Sequence, residues 1–230
     1  MNLAAGTIRF LAERTGSAGY VVNLLVRTAL CLPRIPRRLR FLLDNCFNAG
    51  VRALPVTLVV AAFAGAILAM QTGIELRRFG NTNVLGTITA LSMCREMGPF
   101  ITAVILAATV GSSIAAEIGT MKVSEEIDAL EVMSIDPVDY LVLPRVLALA
   151  LMCPLLTVLS NLIGIYGGSI IAEQNLGVSP DLYWVGAIES LTSSGTLLPK
   201  EVYVGLLKSL IFGVAIATVS CAAGLKARGG

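Results

Sequence analysis

The chain has 230 residues, a net charge of +2, 56% hydrophobic residues and only 14% charged residues. This composition predicts an integral membrane protein and argues against one or two soluble domains. The sequence contains no histidine, which excludes His-based catalysis and most catalytic zinc sites.

Two further features of the sequence limit the kinds of site that this chain can contain. The chain has no C-x-x-C spacing, so its cysteines are expected to be small buried hydrophobic residues and not a disulfide framework or metal cluster. It also lacks a G-x-x-x-x-G-K-[ST] phosphate-binding loop, so any ATP that drives this protein is expected to bind another chain. The five cysteines are Cys31, Cys46, Cys94, Cys153 and Cys221.

Residues 1–50 are predicted to form an N-terminal amphipathic or interfacial segment ahead of a membrane domain over residues 51–230. They lack the contiguous apolar core of a signal peptide. A basic cluster favours a helix that lies on the anionic cytoplasmic leaflet. This cluster consists of Arg34, Arg37, Arg38 and Arg40. A soluble N-terminal arm is the alternative.

The first membrane span is predicted at residues 53–74, because no charge occurs between Arg52 and Glu75. Its roughly 22 residues would extend about 33 Å as a helix, which is enough to cross the hydrocarbon core. Gly65 and the nearby alanines form a small-residue face of the kind that lets helices pack closely in lipid.

The second span is predicted within residues 84–118, where the apolar stretch is too long for one simple crossing. We expect a re-entrant or tilted approach as far as Cys94, followed by a crossing from about Met97. Gly98 and Pro99 predict a bend near the start of that crossing.

Arg95 and Glu96 are the only charged residues between Phe79 and Ala116. Ionisable groups at membrane depth are costly and often mark a cavity or pathway, so a role in a wet cavity is one hypothesis. The other hypothesis is that both residues lie at the interface and anchor the span. Neighbouring residues of a helix point about 100° apart, so the two side chains are not expected to pair face to face.

Residues 115–145 form the only long polar passage between two strongly apolar ones. They carry seven of the fifteen acidic residues: Glu117, Glu125, Glu126, Asp128, Glu131, Asp136 and Asp139. A short amphipathic helix is predicted over residues 123–134, with Ser124 as its N-cap and Pro137 after its end. Its apolar side would consist of Val123, Ile127, Leu130 and Met133. The helix is either a solvated connector or a docking surface for a partner.

Two more spans are predicted at residues 146–172 and 202–225, the latter interrupted only by Lys208. Between them, residues 176–199 read as an interfacial or loop region. Trp184 lies there beside a tyrosine, a pair that is typical of the membrane–water boundary.

The orientation follows from basic residues near the span ends, which place the N-terminus in the cytoplasm. These residues are Arg27, Arg34, Arg37, Arg38, Arg40 and Arg52. The alternation of spans then places the acidic helix in the cytoplasm and residues 173–201 outside. Arg77 and Arg78 fall on the outer side, which is a mild exception.

Four strings of residues, taken together and in order, carry a family resemblance. They are Leu91-Ser-Met-Cys-Arg-Glu-Met-Gly-Pro99, Gly111-Ser-Ser-Ile-Ala-Ala-Glu-Ile-Gly-Thr-Met-Lys122, Glu125-Glu-Ile-Asp-Ala-Leu-Glu-Val-Met133 with Asp136-Pro137, and Gly164-Ile-Tyr-Gly-Gly168. Over roughly residues 40–230 the chain resembles the MlaE/YrbE permeases, the membrane subunits of ABC transporters that work with MCE-domain lipid carriers.

The resemblance implies an all-α homodimeric permease in the bacterial inner membrane that moves phospholipid or a related lipid. Relatives have an interfacial helix and five membrane helices, of which four are visible here, so we expect the last helix to be missing from this sequence. The implied partners are two ATPase subunits that bind the ATP, an MCE-domain protein that forms a hexameric ring, and a STAS-domain protein. The chain itself would be non-catalytic, with no cofactor, metal or nucleic acid of its own.

Residue by residue, the resemblance assigns two groups of positions. Arg95 and Glu96 match positions that line the lipid cavity of the family, and Leu68, Leu76 and Phe79 match its apolar wall. The acidic helix matches the coupling helix that fits a groove of the ATPase, through Glu125, Glu126, Ile127, Asp128, Leu130 and Glu131. The sequence departs from the family at Thr109, where an arginine is usual, so the role of that arginine is not carried over.

Two other functions compete with lipid transport by an ABC permease. An ion- or proton-coupled secondary transporter would use Glu96 as the carrier, but no inverted repeat is apparent. An intramembrane lipid enzyme would need a nucleophile and base or a metal set, which the apolar spans do not offer.

Overall fold

The computed structural model describes residues 19–33, 35, 39–192 and 200–227. Within these ranges the chain is helical apart from turns, and no β-strand occurs. Four helical segments are long and apolar enough to cross a membrane: Leu39–Arg78, Thr82–Val123, Val138–Leu176 and Lys200–Leu225. Each predicted span lies inside one of these segments, which confirms the prediction of an all-α membrane protein.

The described helices are numbered here in chain order. They are α1 (Gly19–Leu30), α2 (Leu39–Arg78), α3 (Leu85–Ser92), α4 (Gly98–Leu106), α5 (Ser112–Val123), α6 (Glu126–Val132), α7 (Leu143–Leu176), α8 (Pro180–Thr192) and α9 (Lys200–Leu225). A 3₁₀ turn at Thr82–Val84 precedes α3. Three π-helical turns, Met93–Met97, Ala107–Gly111 and Val138–Val142, precede α4, α5 and α7.

The short apolar helix α1 is the described part of the predicted interfacial segment. Leu24 is buried, whereas Val22, Val26 and Leu30 form an exposed apolar stripe four residues apart. Such a stripe suits a helix that lies against lipid without crossing it. Residues 1–18 and three of the four predicted basic residues lie outside the described ranges.

The backbones of α2 and α7 pack against each other at close range. A Cβ atom on Gly65 would lie 1.8 Å from the carbonyl oxygen of Gly164, and one on Gly167 would lie 2.4 Å from that of Ala62. Ala61 and Ala69 on the same face of α2 are fully buried. The small-residue face predicted from the sequence is therefore the surface along which these two spans touch.

The expectation of a re-entrant approach in the second span is wrong. Residues 82–123 form one helical run, because each π-helical turn accommodates an extra residue without ending the helix. Pro99 lies in the first turn of α4, directly after the turn at Met93–Met97, so its missing N–H does not break a long helix.

The region predicted as a loop on the outer side contains the helix α8, and residues 193–199 lie outside the described ranges. Tyr183 is fully buried, and its hydroxyl donates a hydrogen bond to the carbonyl oxygen of Ile165 at 3.1 Å. Arg77 donates a hydrogen bond to the carbonyl oxygen of Leu176 at 2.9 Å, at the end of α7. A basic residue at a helix C-terminus is favourable there, which gives one of the two arginines at the predicted outer end a structural role.

Candidate functional site

The first candidate site is the π-helical turn Met93–Met97, which exposes two charges and buries two apolar side chains. Met93 and Cys94 are buried against the bundle. The side chains of Arg95 and Glu96 are 59% and 61% exposed on the other side of the turn. A π-helical turn is a common device for aiming side chains at a functional site.

Helix α9 supplies the charges that face Arg95 and Glu96. Lys208 Nζ lies 2.5 Å from Glu96 Oε1, and Arg95 Nε lies 3.6 Å from Glu201 Oε2. The direct Arg95–Glu96 distance is 3.9 Å, the longest of the three, which agrees with the expectation that neighbours do not pair face to face. The result is an alternating row of two cations and two anions.

Sequence reasoning did not find the roles of Glu201 and Lys208. The two are seven residues apart and therefore lie on the same face of α9, two turns from each other. The sequence did carry a signal, because Lys208 is the one charge inside the predicted span at 202–225, and a lysine at membrane depth almost always has a partner. The partner, Glu96, lies more than a hundred residues earlier in the chain.

A pocket of about 470 Å³ adjoins this row of charges, and we call it the Arg95 pocket. Its lining combines charged and apolar side chains: Leu68, Leu91, Ser92, Arg95, Glu96, Met97 and Glu201. Three of the five predicted cavity residues therefore come together. Leu76 packs instead against a buried cluster, and Phe79 is largely exposed at the end of α2, so neither lines this pocket in the single chain.

The Arg95 pocket is chemically suited to an amphiphile with an anionic group. The side chains of Arg95 and Lys208 are both partly exposed, so each can contact a ligand anion while it keeps its carboxylate partner. A guanidinium is well matched to phosphate oxygens. The apolar part of the lining, with Leu68 on α2 and Leu91 on α3, offers a surface for hydrocarbon.

The second candidate site is α6, which covers Glu126–Val132 and is shorter than predicted. Ser124 is not its N-cap, because the Ser124 hydroxyl donates a hydrogen bond back to the carbonyl oxygen of Thr120 in α5 at 2.9 Å. Glu125 takes the N-cap position in the left-handed conformation, with φ of 61°. The chain thus turns sharply between α5 and α6.

The C-terminus of α6 at Val132 lies slightly before the predicted end at residue 134, and a backbone motif at Ser134 ends the helix ahead of Pro137. Ser134 adopts φ of 61°, its N–H bonds the carbonyl oxygen of Glu131 at 2.9 Å, and the N–H of Ile135 bonds that of Leu130 at 2.9 Å. These two bonds form a Schellman motif. The motif usually requires glycine at the left-handed position, so a serine there gave no sequence signal.

The faces of α6 are only partly as predicted. Ile127 is 3% exposed and Leu130 packs beside it against the core, so both anchor the helix to its own bundle and Ile127 does not offer a docking contact. Val123 and Met133, predicted on the same side, are exposed together with Val132. The acidic face is exposed, and Asp128 pairs with Lys122 at 2.7 Å.

A buried arginine joins the two segments that flank α6, and the sequence analysis did not single it out. Arg145 near the start of α7 is 2% exposed, and its Nη2 lies 2.8 Å from Oε1 of Glu117 on α5. Its Nη1 donates to the carbonyl oxygen of Leu141 at 2.9 Å. The guanidinium also lies 5.7 Å from the centre of the Phe41 ring, which stacks on Tyr140.

Comparison with known proteins identifies the family. The profile of the family described as Permease MlaE matches residues 42–230. The chain belongs to the MlaE permease family. A probable ABC transporter permease protein of Synechocystis is 39% identical over 188 residues, which cover 82% of this chain and 69% of that protein.

Two further relatives of this MlaE-family chain have more specific names. The intermembrane phospholipid transport system permease protein MlaE of Haemophilus influenzae is 31% identical over 205 residues, which cover 89% of this chain and 76% of that protein. The chloroplastic protein trigalactosyldiacylglycerol 1 of Arabidopsis thaliana is 34% identical over 188 residues, covering 82% and 52% respectively. The chain is an ABC transporter permease of the MlaE family and a multi-pass membrane protein.

Proposed function

We propose that this permease moves phospholipid or a related lipid between the inner membrane and the outer envelope, driven by separate ATPase subunits. The observation that carries the proposal is the Arg95 pocket, which Arg95 lines beside apolar side chains, while a second cation, Lys208, pairs with the lining residue Glu96. Arg95 binds the lipid phosphate. Lys208 either binds the same phosphate or keeps the Glu96 carboxylate away from it. Leu68 and Leu91 contact the acyl chains.

The coupling step of the proposed function uses α6. ATPase subunits dock on the exposed acidic side chains of Glu125, Glu126, Asp128 and Glu131, with Val132 and Met133 beside them as exposed apolar contacts. Movement of α6 passes to α5 and α7, because Ile127 anchors α6 in the core and the Arg145–Glu117 pair joins its two flanks. The permease chain binds no ATP and is not itself catalytic.

The remaining parts of the proposal rest on the family. The functional unit contains two copies of the chain in a bacterial inner membrane, with the N-terminus in the cytoplasm and residues 1–50 as an interfacial segment ahead of the permease domain at 51–230. An MCE-domain ring lies on the far side of the membrane, and a STAS-domain protein accompanies the ATPases. Relatives named as ABC permeases support this reading over an ion-coupled carrier that uses Glu96.

The test of the proposed function is ATP-dependent transfer of a labelled phospholipid by the permease reconstituted with its ATPase and MCE partners. Arg95→Gln is expected to lower the transfer rate about tenfold or more, as the loss of one charge-assisted hydrogen bond implies. Arg78→Gln is the matched control, because Arg78 forms an exposed ion pair with Glu75 outside the pocket. Equal transfer rates in Arg95→Gln and the unaltered protein would contradict the proposal.

A further inference from the structure

A second pocket lies between α2 and the helical run that contains α4 and α5. It measures about 190 Å³, and six of its lining residues are polar: Asn45, Asn48, Arg52, Thr109, Ser113 and Glu117. We call it the Arg52 pocket. Arg52 lies on the same helix, α2, as Leu68, which lines the Arg95 pocket. At 1.5 Å per residue the two residues are about 24 Å apart along the helix axis, so the two pockets are separate.

The Arg52 pocket lies where a membrane-spanning helix leaves the hydrocarbon core. Helix α2 has 40 residues and a length of about 60 Å, twice the thickness of that core. Arg52 is the last charge before the uncharged stretch that ends at Glu75. With the N-terminus in the cytoplasm, the pocket lies at the level of the lipid headgroups of the cytoplasmic leaflet.

The charges of the Arg52 pocket favour an anion. Arg77, Arg95 and Arg145 each contact a carbonyl or carboxylate oxygen, whereas Arg52 forms no ion pair within the described part of the chain. Glu117 also lines the pocket, but its Oε1 is bound by the buried Arg145 at 2.8 Å. Arg145 thereby balances the one carboxylate, and the guanidinium of Arg52 remains as the excess charge.

The uncharged polar residues of the pocket are held in place by the fold. The side-chain amide of Asn45 donates to the carbonyl oxygen of Phe41 at 2.7 Å, which fixes the orientation of its oxygen and remaining N–H. Thr109 belongs to the π-helical turn Ala107–Gly111, and its hydroxyl donates to the carbonyl oxygen of Ile105 at 2.7 Å. This turn, like the one at Arg95, aims side chains into a pocket, and π-helical turns recur at binding sites.

We propose that the Arg52 pocket binds the phosphate of a phospholipid from the cytoplasmic leaflet. Arg52 offers paired N–H donors to the phosphate, and the Asn48 amide and Ser113 hydroxyl offer further ones. The volume is far above the roughly 10–15 Å³ that one water needs. The inference rests on the proposed lipid transport and adds to it a second, cytoplasmic-side position for the same class of substrate. A soluble phosphate ester shares the chemistry and is separated from the lipid by the test.

The experiment uses the permease with its ATPase partner in nanodiscs of phosphatidylethanolamine and phosphatidylglycerol, without ATP. A phosphatidylethanolamine analogue with a diazirine near the glycerol end of its acyl chain is photolysed, and the cross-linked peptides are mapped. Cross-links are expected on peptides that contain residues 45–52 and 109–117. Arg52→Gln is expected to reduce them about tenfold, since a charge-assisted hydrogen bond is lost.

Arg40→Gln is the matched control, because Arg40 lies on the same helix outside the pocket. Undiminished cross-linking in Arg52→Gln would overturn the proposal. A loss of cross-linking in Arg40→Gln equal to that in Arg52→Gln would also overturn it, because it would show only a general attraction of the lipid to basic residues. Competition by inorganic phosphate would also overturn it in favour of a soluble ligand. Retained ATPase association shows that each variant is folded.

The same cross-linking in Arg95→Gln separates this inference from the proposed function. We expect the cross-links at the Arg52 pocket to persist in the Arg95→Gln variant, because lipid binding at the Arg52 pocket without ATP does not require the Arg95 pocket. Loss of the Arg52 cross-links in Arg95→Gln would overturn the inference that the two pockets bind lipid separately. A transport defect at Arg95 with no cross-link at Arg52 would leave the proposed function standing without the second site.

Discussion

At the scale of single residues, Arg145 is a charge that the fold encloses almost completely. Its guanidinium has the Glu117 carboxylate, the Leu141 carbonyl oxygen and the face of the Phe41 ring as partners. Its Nε is buried and has no hydrogen-bond partner within the described residues. A buried cation of this kind is stable only as long as its carboxylate is present, because removing one partner leaves an uncompensated charge.

Glu117→Gln is therefore expected to destabilise the protein by about 1–3 kcal/mol, less than for a fully buried pair because the Glu117 side chain is more than half exposed. The double variant Glu117→Gln/Arg145→Met is expected to recover part of that loss, since it removes the buried charge as well. Thermal unfolding in detergent measures both. Glu75→Gln breaks the exposed pair with Arg78 and is expected to have almost no effect. Equal shifts for Glu75→Gln and Glu117→Gln would contradict this account of Arg145.

At the scale of elements, the contact of α2 with α7 depends on the absence of side chains. Lipid is as apolar as the helices, so association in a membrane depends on close packing more than on the hydrophobic effect. The carbonyl oxygen of Gly164 occupies the space that a Cβ atom of Gly65 would need. Because this obstacle is backbone, a side-chain rotation cannot relieve it.

Gly65→Ala is expected to destabilise the protein by about 1–3 kcal/mol, as overpacked interfaces do. Gly119→Ala is the matched control within α5, because the nearest atom to its Cβ would be 3.4 Å away, an ordinary contact. Alanine is the better helix former, so this control is expected to be neutral or slightly stabilising. Thermal unfolding in detergent compares the two. A Gly65→Ala protein as stable as Gly119→Ala would show that α2 and α7 are not in close contact.

At the scale of the whole molecule, the hydropathy of the sequence predicted the four spans, because apolar stretches with few charges that are long enough to cross a bilayer core have few alternative folds. The pairing of Glu96 with Lys208 was not predictable, since it depends on how α9 packs against the turn at Met93–Met97. The predicted bounds of α6 were wrong for a related reason. Glu125 and Ser134 adopt left-handed conformations that their residue types disfavour, so the surrounding structure sets them.

The docking of ATPase subunits on α6 is a property of the assembled transporter, and charge reversal tests it there. Glu125→Lys/Glu131→Lys is expected to abolish co-purification of the ATPase in mild detergent, because like charges would then face a surface that binds anions. Both side chains are exposed, so the permease should fold normally. Asp128 is left unchanged, since its pair with Lys122 supports α6 itself.

The matched control for this charge reversal is Glu173→Lys/Glu189→Lys, which makes the same change in charge on two exposed residues of α7 and α8. These residues belong to the end of the bundle predicted to face away from the cytoplasm, so the ATPase is expected to remain bound. Retention of the ATPase by both double variants would contradict docking on α6. Loss from both would indicate a general effect of net charge and would equally exclude α6 as a specific docking surface.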